Sequence, residues 1–123
     1  GLISYNDYTN FDLKVAQCTD TACSSATTAT LDSVGSVGVY TSIAIGADGL
    51  GLVSYRDSTN GDLKVAHCSN TACSSATIAT IDSVDNVGLY TSIAIGADGL
   101  GVISYNDDTN LDLKVAHLGI GVP

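Results

Sequence analysis

Carboxylate and amide side chains recur three times in a segment with the pattern Asp-x-Thr-Asn-x-Asp. Oxygen ligands spaced this closely in a turn suit a hard cation such as calcium. The pattern differs from an EF-hand loop, because the central Gly and the distant bidentate Glu are missing. The calcium hypothesis places one ion at each copy, with ligands from Asp7, Asn10 and Asp12; Asp57, Asn60 and Asp62; and Asp107, Asn110 and Asp112.

The same segment is also typical of a hairpin turn, and this interpretation stands beside the calcium hypothesis. An Asp at the first position accepts hydrogen bonds from backbone amides two or three residues further on. The loop has Phe11 and Leu111 where the middle copy has Gly61. Bulky residues resist positive φ, whereas Asn tolerates it. If the three loops share one shape, we expect the Asn of each copy to be the left-handed residue.

Four cysteines occur as two pairs with one spacing, Cys18 with Cys23 and Cys68 with Cys73. Two cysteines in one short loop, repeated in register, predict two local disulfides. Closing such a loop stabilises the fold by on the order of 2 kcal/mol in the chain-entropy model. Disulfides imply an oxidising setting, outside the cell or at its surface.

Zinc binding is the alternative use of these cysteines, since His67 stands beside Cys68. It is disfavoured because the first repeat has Gln17 at that position and the set offers three ligands at best.

Catalytic arrangements are hard to find in this sequence. Near-identical units create symmetric surroundings, whereas catalysis usually needs groups in different environments. His67 and His117 fall at equivalent positions, and no Ser-His-Asp arrangement is visible. We therefore predict that the chain is not an enzyme and that it needs no cofactor, unless the Asp loops bind calcium.

The charge of the chain is strongly acidic, with a formal net charge of -9. A phosphate-binding surface needs clustered Lys and Arg. No segment approaches the roughly 20 apolar residues that span a bilayer. We expect neither nucleic acid nor a membrane as a partner, because the basic residues are few and scattered: Lys14, Arg56, Lys64 and Lys114.

Internal repetition is the dominant feature of the chain. Residues 1–50 align with residues 51–100 without a gap, with 38 of 50 positions identical, and residues 101–117 restart the pattern. A period near 50 residues indicates a repeat architecture such as propeller blades or solenoid coils. The scarcity of strong helix formers and the abundance of Val, Ile, Thr and Tyr favour strands.

One complete unit, residues 41–90, contains four predicted strands at 41–47, 50–57, 62–68 and 77–83. Asp48-Gly49 between the first two strands is a strong hairpin turn. The sequence therefore predicts an all-β fold of tandem four-stranded antiparallel blades of about 50 residues, a partial β-propeller. A β-solenoid is the alternative, although it requires parallel crossovers, which the hairpin turns disfavour.

The predicted division of the chain is a three-stranded partial blade at 1–40, a complete blade at 41–90, and a three-stranded partial blade with a C-terminal tail at 91–123. Closed propellers usually have about 4–8 blades. Because the chain opens on Gly1 and not on Met, we expect it to be part of a mature or longer polypeptide. Open strand edges favour pairing with other copies of the chain or with the rest of a longer chain.

The stretch "YTSIAIGADGLGLVSYRDSTNGDLKVAHC" (residues 40–68) resembles bacterial secreted β-propeller repeats of the sialidase-like or BNR-like kind. This resemblance implies a propeller blade in a non-enzymatic surface module. The Asp-box of that group, Ser-x-Asp-x-Gly-x-Thr-Trp, is missing, since the chain has no Trp. Sialidases also use an arginine cluster, and Arg56 is the only arginine here. Sialidase activity is therefore not expected.

Two functions remain in view. The chain is expected to be a structural unit of an extracellular assembly such as a filament or a surface layer. Alternatively, it is a module that binds a glycan or a protein. In that case a repeated aromatic ladder could stack on sugars, although packing between blades is the other interpretation of the same side chains: Tyr5, Tyr55 and Tyr105.

Overall fold

The structure, a computed structural model, describes residues 1–119 and contains ten β-strands in that range. No helix in this range is long and apolar enough to cross a membrane. The strands are β1 (Leu2–Asp7), β2 (Asp12–Cys18), β3 (Ala26–Asp32), β4 (Val37–Ile45), β5 (Gly51–Asp57), β6 (Asp62–Cys68), β7 (Ala76–Asp82), β8 (Leu89–Ile95), β9 (Gly101–Asp107) and β10 (Asp112–His117).

The strands form three antiparallel sheets in chain order, which we call sheet 1 (β1-β2-β3), sheet 2 (β4-β5-β6-β7) and sheet 3 (β8-β9-β10). The all-β class and the division into three, four and three strands are confirmed. The pairs of strands described within each sheet are antiparallel, unlike the parallel pairing that a β-solenoid requires. Residues 120–123 of the predicted C-terminal tail lie outside the described residues.

The turns follow from local chemistry. Gly49 takes a φ of 81° in the β4–β5 hairpin, as expected for the Asp48-Gly49 pair. The Asp48 carboxylate accepts a hydrogen bond from the Leu50 N–H at 2.9 Å, which fixes the turn. The β5–β6 hairpin then sets Asp57 opposite Asp62, so alternate side chains of both strands point to the same face.

Two apolar layers hold the sheets together. Between sheets 1 and 2, Leu13 and Val15 of β2 pack in one cluster with Val53 and Tyr55 of β5. The equivalent side chains form a second cluster between sheets 2 and 3. All seven residues of β5 are consequently buried, because sheet 2 is covered on both faces.

Candidate functional site

The three Asp-x-Thr-Asn-x-Asp segments form the β1–β2, β5–β6 and β9–β10 hairpin loops. In the first, the Asp7 carboxylate accepts hydrogen bonds from the N–H groups of Thr9 (3.0 Å) and Asn10 (3.2 Å). The Asn10 side-chain amide donates to the same carboxylate at 2.9 Å. These bonds, led by the one from the Asn10 side chain, hold the pKa of Asp7 below its usual value. The Asn-to-Asp bonds recur in both other copies.

The prediction that Asn is the left-handed residue is wrong. Positive φ occurs one residue later, at Phe11 (60°), Gly61 (75°) and Leu111 (60°). The Asn side chain donates a hydrogen bond back to the Asp carboxylate, and Asn itself keeps a negative φ. The left-handed conformation therefore falls on the last residue of the loop. The N–H of that residue donates to the Asp7 carbonyl at 2.7 Å in the first copy. Phe and Leu thus occupy a conformation that costs roughly 1–2 kcal/mol.

The calcium hypothesis can be compared with this geometry. Within residues 1–119, no group of three or more His, Cys, Asp or Glu side chains is placed to hold a metal ion. Both oxygens of Asp7 accept hydrogen bonds inside the loop. Asp12 begins the next strand, paired across from Asp7. The arrangement accounts for the first Asp and the Asn as turn residues, and calcium binding stays a prediction.

The two predicted disulfides, Cys18–Cys23 and Cys68–Cys73, are present. The described residues contain no free cysteine. The sulfurs are therefore bonded to one another, which removes the zinc alternative. His67 is occupied elsewhere, since its Nε2 lies 2.7 Å from a carboxylate oxygen of Asp48 in the neighbouring turn. His117 and Asp98 repeat this pair at 2.7 Å.

The third unit replaces its first cysteine by Leu118. This side chain is buried in the cluster between sheets 2 and 3. Its N–H donates to the Gly101 carbonyl at 2.8 Å, as the Cys18 N–H does to Gly1 at 2.9 Å. In the third unit, apolar packing of Leu118 therefore holds the backbone in the position that the disulfide-bonded Cys18 has in the first unit.

Tyr55 and Tyr105 are buried between the sheets, so a sugar cannot stack on them in this structure. The Tyr55 hydroxyl donates to Asp32 at the end of β3, and the Tyr105 hydroxyl donates to Asp82 at the end of β7, each at 2.7 Å. Burial, followed by the bond to Asp32, raises the pKa of Tyr55. These two tyrosines pack between sheets, while Tyr5 is half-buried in sheet 1.

A β-bulge precedes each of these aspartates. The register between β2 and β3 shifts between Leu13 and Lys14, and the register between β6 and β7 shifts at the equivalent place. Bulges redirect side chains at strand ends. The sequence gives no periodicity signal for them, and for this reason Asp32 and Asp82 were missed as functional residues.

A lysine joins each Tyr–Asp pair. Lys64 Nζ lies 3.4 Å from Asp32, and Lys114 Nζ lies 2.9 Å from Asp82. Burial pushes the pKa of Asp82 upward, but hydrogen bonds from Tyr105, a backbone amide and Lys114 outweigh it and leave the pKa lowered. The bond to Asp82 likewise raises the pKa of Lys114.

The Thr of the repeated segment contacts the preceding unit, a role that the turn interpretation did not include. Thr59 Oγ1 accepts a hydrogen bond from the Ser36 N–H at 2.8 Å, in the loop between β3 and β4. Thr109 accepts from the Asn86 N–H at 2.9 Å in the same way. The segment is therefore both a turn and an attachment point between neighbouring units.

These contacts form one set that occurs twice, which we call the inter-sheet contact. It consists of a Leu and a Val from one sheet, an aliphatic residue and a Tyr from the next sheet, the Asp that binds the Tyr hydroxyl, and the Thr of the hairpin loop. The first copy comprises Leu13, Val15, Asp32, Val53, Tyr55 and Thr59, and the second comprises Leu63, Val65, Asp82, Ile103, Tyr105 and Thr109.

The backbones approach closely at the inter-sheet contact. Gly38 and Gly88 have φ values of 93° and 87°. A Cβ on Gly38 would lie 2.7 Å from the Leu13 Cα, and one on Gly88 would lie 2.9 Å from the Asp62 carbonyl oxygen. Only glycine satisfies both the left-handed conformation and the lack of space.

Two further exposed tyrosines, which the sequence did not single out, form a pair on the surface. Tyr40 and Tyr90 are 41% and 67% exposed, with φ values of 54° and 52°. Their rings lie side by side with centroids 4.5 Å apart. Tyr40 directly precedes the strand predicted at 41–47, whereas the structure places Tyr40 within β4 and Tyr90 within β8. The repeated Tyr-Thr-Ser-Ile was the available sequence signal.

No protein-family model matches the chain, and no curated protein matches it.

Proposed function

We propose that this chain is a non-enzymatic, extracellular structural repeat protein that assembles with other chains through successive propeller-like blades. The observation that carries the proposal is the inter-sheet contact, which recurs with the same partners. Tyr55 and Asp32 are separated by 23 residues, and so are Tyr105 and Asp82. In repeat proteins, each unit is stabilised by an interface with its neighbour, and an interface of this kind can propagate.

The stacking of the sheets supports the blade interpretation. Strands β4 and β8 are the first strands of their sheets and are linked to each other by side chains. The Ile93 N–H donates to Ser42 Oγ at 3.2 Å, and Thr91 Oγ1 donates to the Tyr40 carbonyl at 2.5 Å. Adjacent first strands are expected where blades meet near a propeller axis. Since closed propellers have about 4–8 blades, the three sheets of residues 1–119 favour completion by other copies of the chain or by the rest of a longer chain.

The chemistry of the reactive side chains supports a structural role. The cysteines form disulfides, which are compatible with an oxidising, extracellular environment. The histidines pair with turn aspartates, and the buried tyrosines bind aspartates between sheets. Each of these groups has a partner that stabilises the fold.

Sedimentation velocity on the oxidised chain, over a range of protein concentrations, tests the proposal. We expect species larger than the 12.4 kDa monomer, and electron microscopy of the same sample should show regular particles or fibres. A chain that remains monomeric at every concentration would contradict the proposal. Repeating the measurement with a calcium chelator tests the Asp loops, because loss of assembly would support calcium binding and an unchanged distribution would count against it.

A glycan-binding module is the second candidate, and the Tyr40–Tyr90 pair is the observation that favours it. Non-glycine residues in the left-handed region are strained, and strain at exposed positions is a reason to test for function. Exposed aromatic rings can stack on the apolar faces of sugars. A glycan array should show binding that Tyr90→Ala abolishes and Tyr8→Ala, which removes an exposed aromatic outside the pair, leaves intact. An array without signal would remove this candidate.

A further inference from the structure

The outer face of sheet 3 carries an uncovered half of the inter-sheet contact. Leu113 and Val115 on β10 are 80% and 62% exposed. Their equivalents on β6, Leu63 and Val65, are fully buried against sheet 3. Two aliphatic side chains that the fold buries wherever a following sheet is present are therefore open to solvent at this end.

The outer face of sheet 1 carries the opposite half. Ile3 on β1 is 49% exposed, whereas its equivalents Val53 and Ile103 are fully buried against the preceding sheet. Tyr5 lies beside Ile3 on the same face, at the position of Tyr55. At this end, the chain exposes the surface that in the other two units receives a Leu and a Val.

The two outer faces are complementary to each other and not to themselves. Inside the chain, the Leu–Val side of one sheet always meets the aliphatic–Tyr side of the next. We propose that a second copy of this chain docks with its β1 face, Ile3 and Tyr5, on the β10 face, Leu113 and Val115, so that copies add head to tail. This proposal rests on the assembly proposed above and identifies the surfaces that make it.

The polar part of the inter-sheet contact is not reproduced at this junction. Within residues 1–119, sheet 3 ends at β10, so an incoming Tyr5 and Lys14 meet no counterpart of Asp32 or Asp82. Apolar burial therefore drives the docking. Because each copy carries a net charge of -9, added salt screens the repulsion between copies and strengthens their association.

Head-to-tail docking has a geometric consequence. A contact between two different surfaces leaves one free surface of each kind at the ends of every assembly. Further copies therefore add until the rotation between copies closes a ring, or they continue as a filament. A two-fold dimer, by contrast, would join identical faces and stop at two copies.

Two variants that each block one end separate these arrangements. Ile3→Asp blocks the β1 face and Leu113→Asp blocks the β10 face. Both sites are exposed, so we expect both variants to keep the far-ultraviolet circular dichroism spectrum of the unsubstituted chain. Each variant alone should be monomeric, with association weakened by about 30-fold or more, as expected for a central apolar contact. An equimolar mixture should form a one-to-one dimer, since each variant retains the face that the other lacks.

The controls isolate the interface from general effects. Val84→Asp adds the same charge at an exposed loop residue outside β1 and β10 and should leave the assembly unchanged. Ile3→Asn and Val115→Asn repeat the experiment without added charge. If either blocked variant assembles alone like the unsubstituted chain, or if the mixture stays monomeric, the proposed docking is wrong while assembly by another surface stands. A monomeric unsubstituted chain would overturn both proposals.

Discussion

Strands β6 and β10 begin with the same six residues, DLKVAH, at 62–67 and 112–117. In β6 the Leu and Val are buried, and in β10 they are exposed. Both strands pair with their hairpin partner in the same register. The difference shows that pairing within a sheet is set locally, whereas burial depends on whether a neighbouring sheet is present. The terminal sheets therefore serve as internal references for the energetic value of the inter-sheet contact.

The largest difference should come from truncating the equivalent leucines. Leu63→Ala should lower the free energy of unfolding by about 2–5 kcal/mol, because it opens a cavity between sheets 2 and 3. Leu113→Ala should change it by less than about 0.5 kcal/mol. Chemical denaturation at a protein concentration where the chain is monomeric measures both values. Equal losses would mean that Leu113 is covered in the monomer.

The close approach of backbones can be tested with two glycines of similar φ. Gly88→Ala adds a Cβ 2.9 Å from a carbonyl oxygen, whereas Gly49 has no neighbouring atom within 4 Å of the added Cβ. Both substitutions carry the left-handed cost of roughly 1–2 kcal/mol. Gly88→Ala should lose about 1–3 kcal/mol more through the steric clash. Thermal unfolding compares the two, and an equal loss would show that the sheets separate freely at this point.

The contribution of the buried Tyr55 hydroxyl can be measured against Tyr5, the equivalent residue of the first unit. Tyr55→Phe removes the donor to Asp32 and should destabilise the chain by about 1–2 kcal/mol. Tyr5→Phe should have almost no effect, since within residues 1–119 no sheet precedes sheet 1 to supply an aspartate. Urea denaturation of both variants checks the prediction. A loss for Tyr5→Phe equal to that for Tyr55→Phe would contradict it.

The hairpin loops allow a gain of stability to be predicted. Leu111→Gly should stabilise the monomer by roughly 0.5–1 kcal/mol, because glycine accepts the φ of 60° without strain. Gly61→Ala should show the opposite sign at the equivalent position. Thermal melts of the two variants measure this effect. A destabilised Leu111→Gly chain would mean that the Leu side chain contributes packing that outweighs the strain.

The smallest effect concerns the Lys114–Asp82 ion pair. Despite burial, hydrogen bonds from Tyr105, a backbone amide and Lys114 hold the pKa of Asp82 below its ordinary value of 3.8 in the folded chain. The ion pair therefore stabilises the fold above that pH, and this contribution is lost as the pH falls through the folded pKa. Lys114→Gln should therefore lower the stability slightly near pH 6, and this loss should shrink as the pH falls below 3.8. Thermal unfolding in both pH ranges gives the comparison. A pH-independent loss would assign the effect to the lysine stem.

The sheet architecture could be predicted because its signals are local and repeated. The abundance of β-forming residues, the Asp48-Gly49 turn and the fifty-residue repeat placed the strands of sheet 2 to within a few residues of their observed ends. The disulfides followed from two cysteines in one short loop. Each of these features depends on residues that are close together in the chain.

The parts that were missed depend on contacts between units. Tyr55 could either stack on a sugar or be buried as a hydrogen-bond donor. The outcome depends on Asp32 of the neighbouring sheet, and a β-bulge directs the Asp32 side chain toward Tyr55. The left-handed loop residue was misassigned because the Asn10 side chain binds Asp7, and that bond outweighs the conformational preference of Asn. Conformational propensity is a property of a single residue type. It therefore does not show which of two favourable conformations a residue adopts when a neighbouring side chain stabilises one of them.

Because the partners of the inter-sheet contact are separated by a constant number of residues, whole units can be removed from the chain or added to it. Deleting residues 41–90 would join Tyr40 to Thr91, the same dipeptide that occurs at 40–41 and 90–91. Asp32 would then stand 23 residues before Tyr105, the separation that both Tyr–Asp bonds already have. Inserting another copy of the unit preserves the same spacing. Shorter and longer versions could therefore arise by unequal recombination within the coding sequence, without a single compensating substitution at the joints.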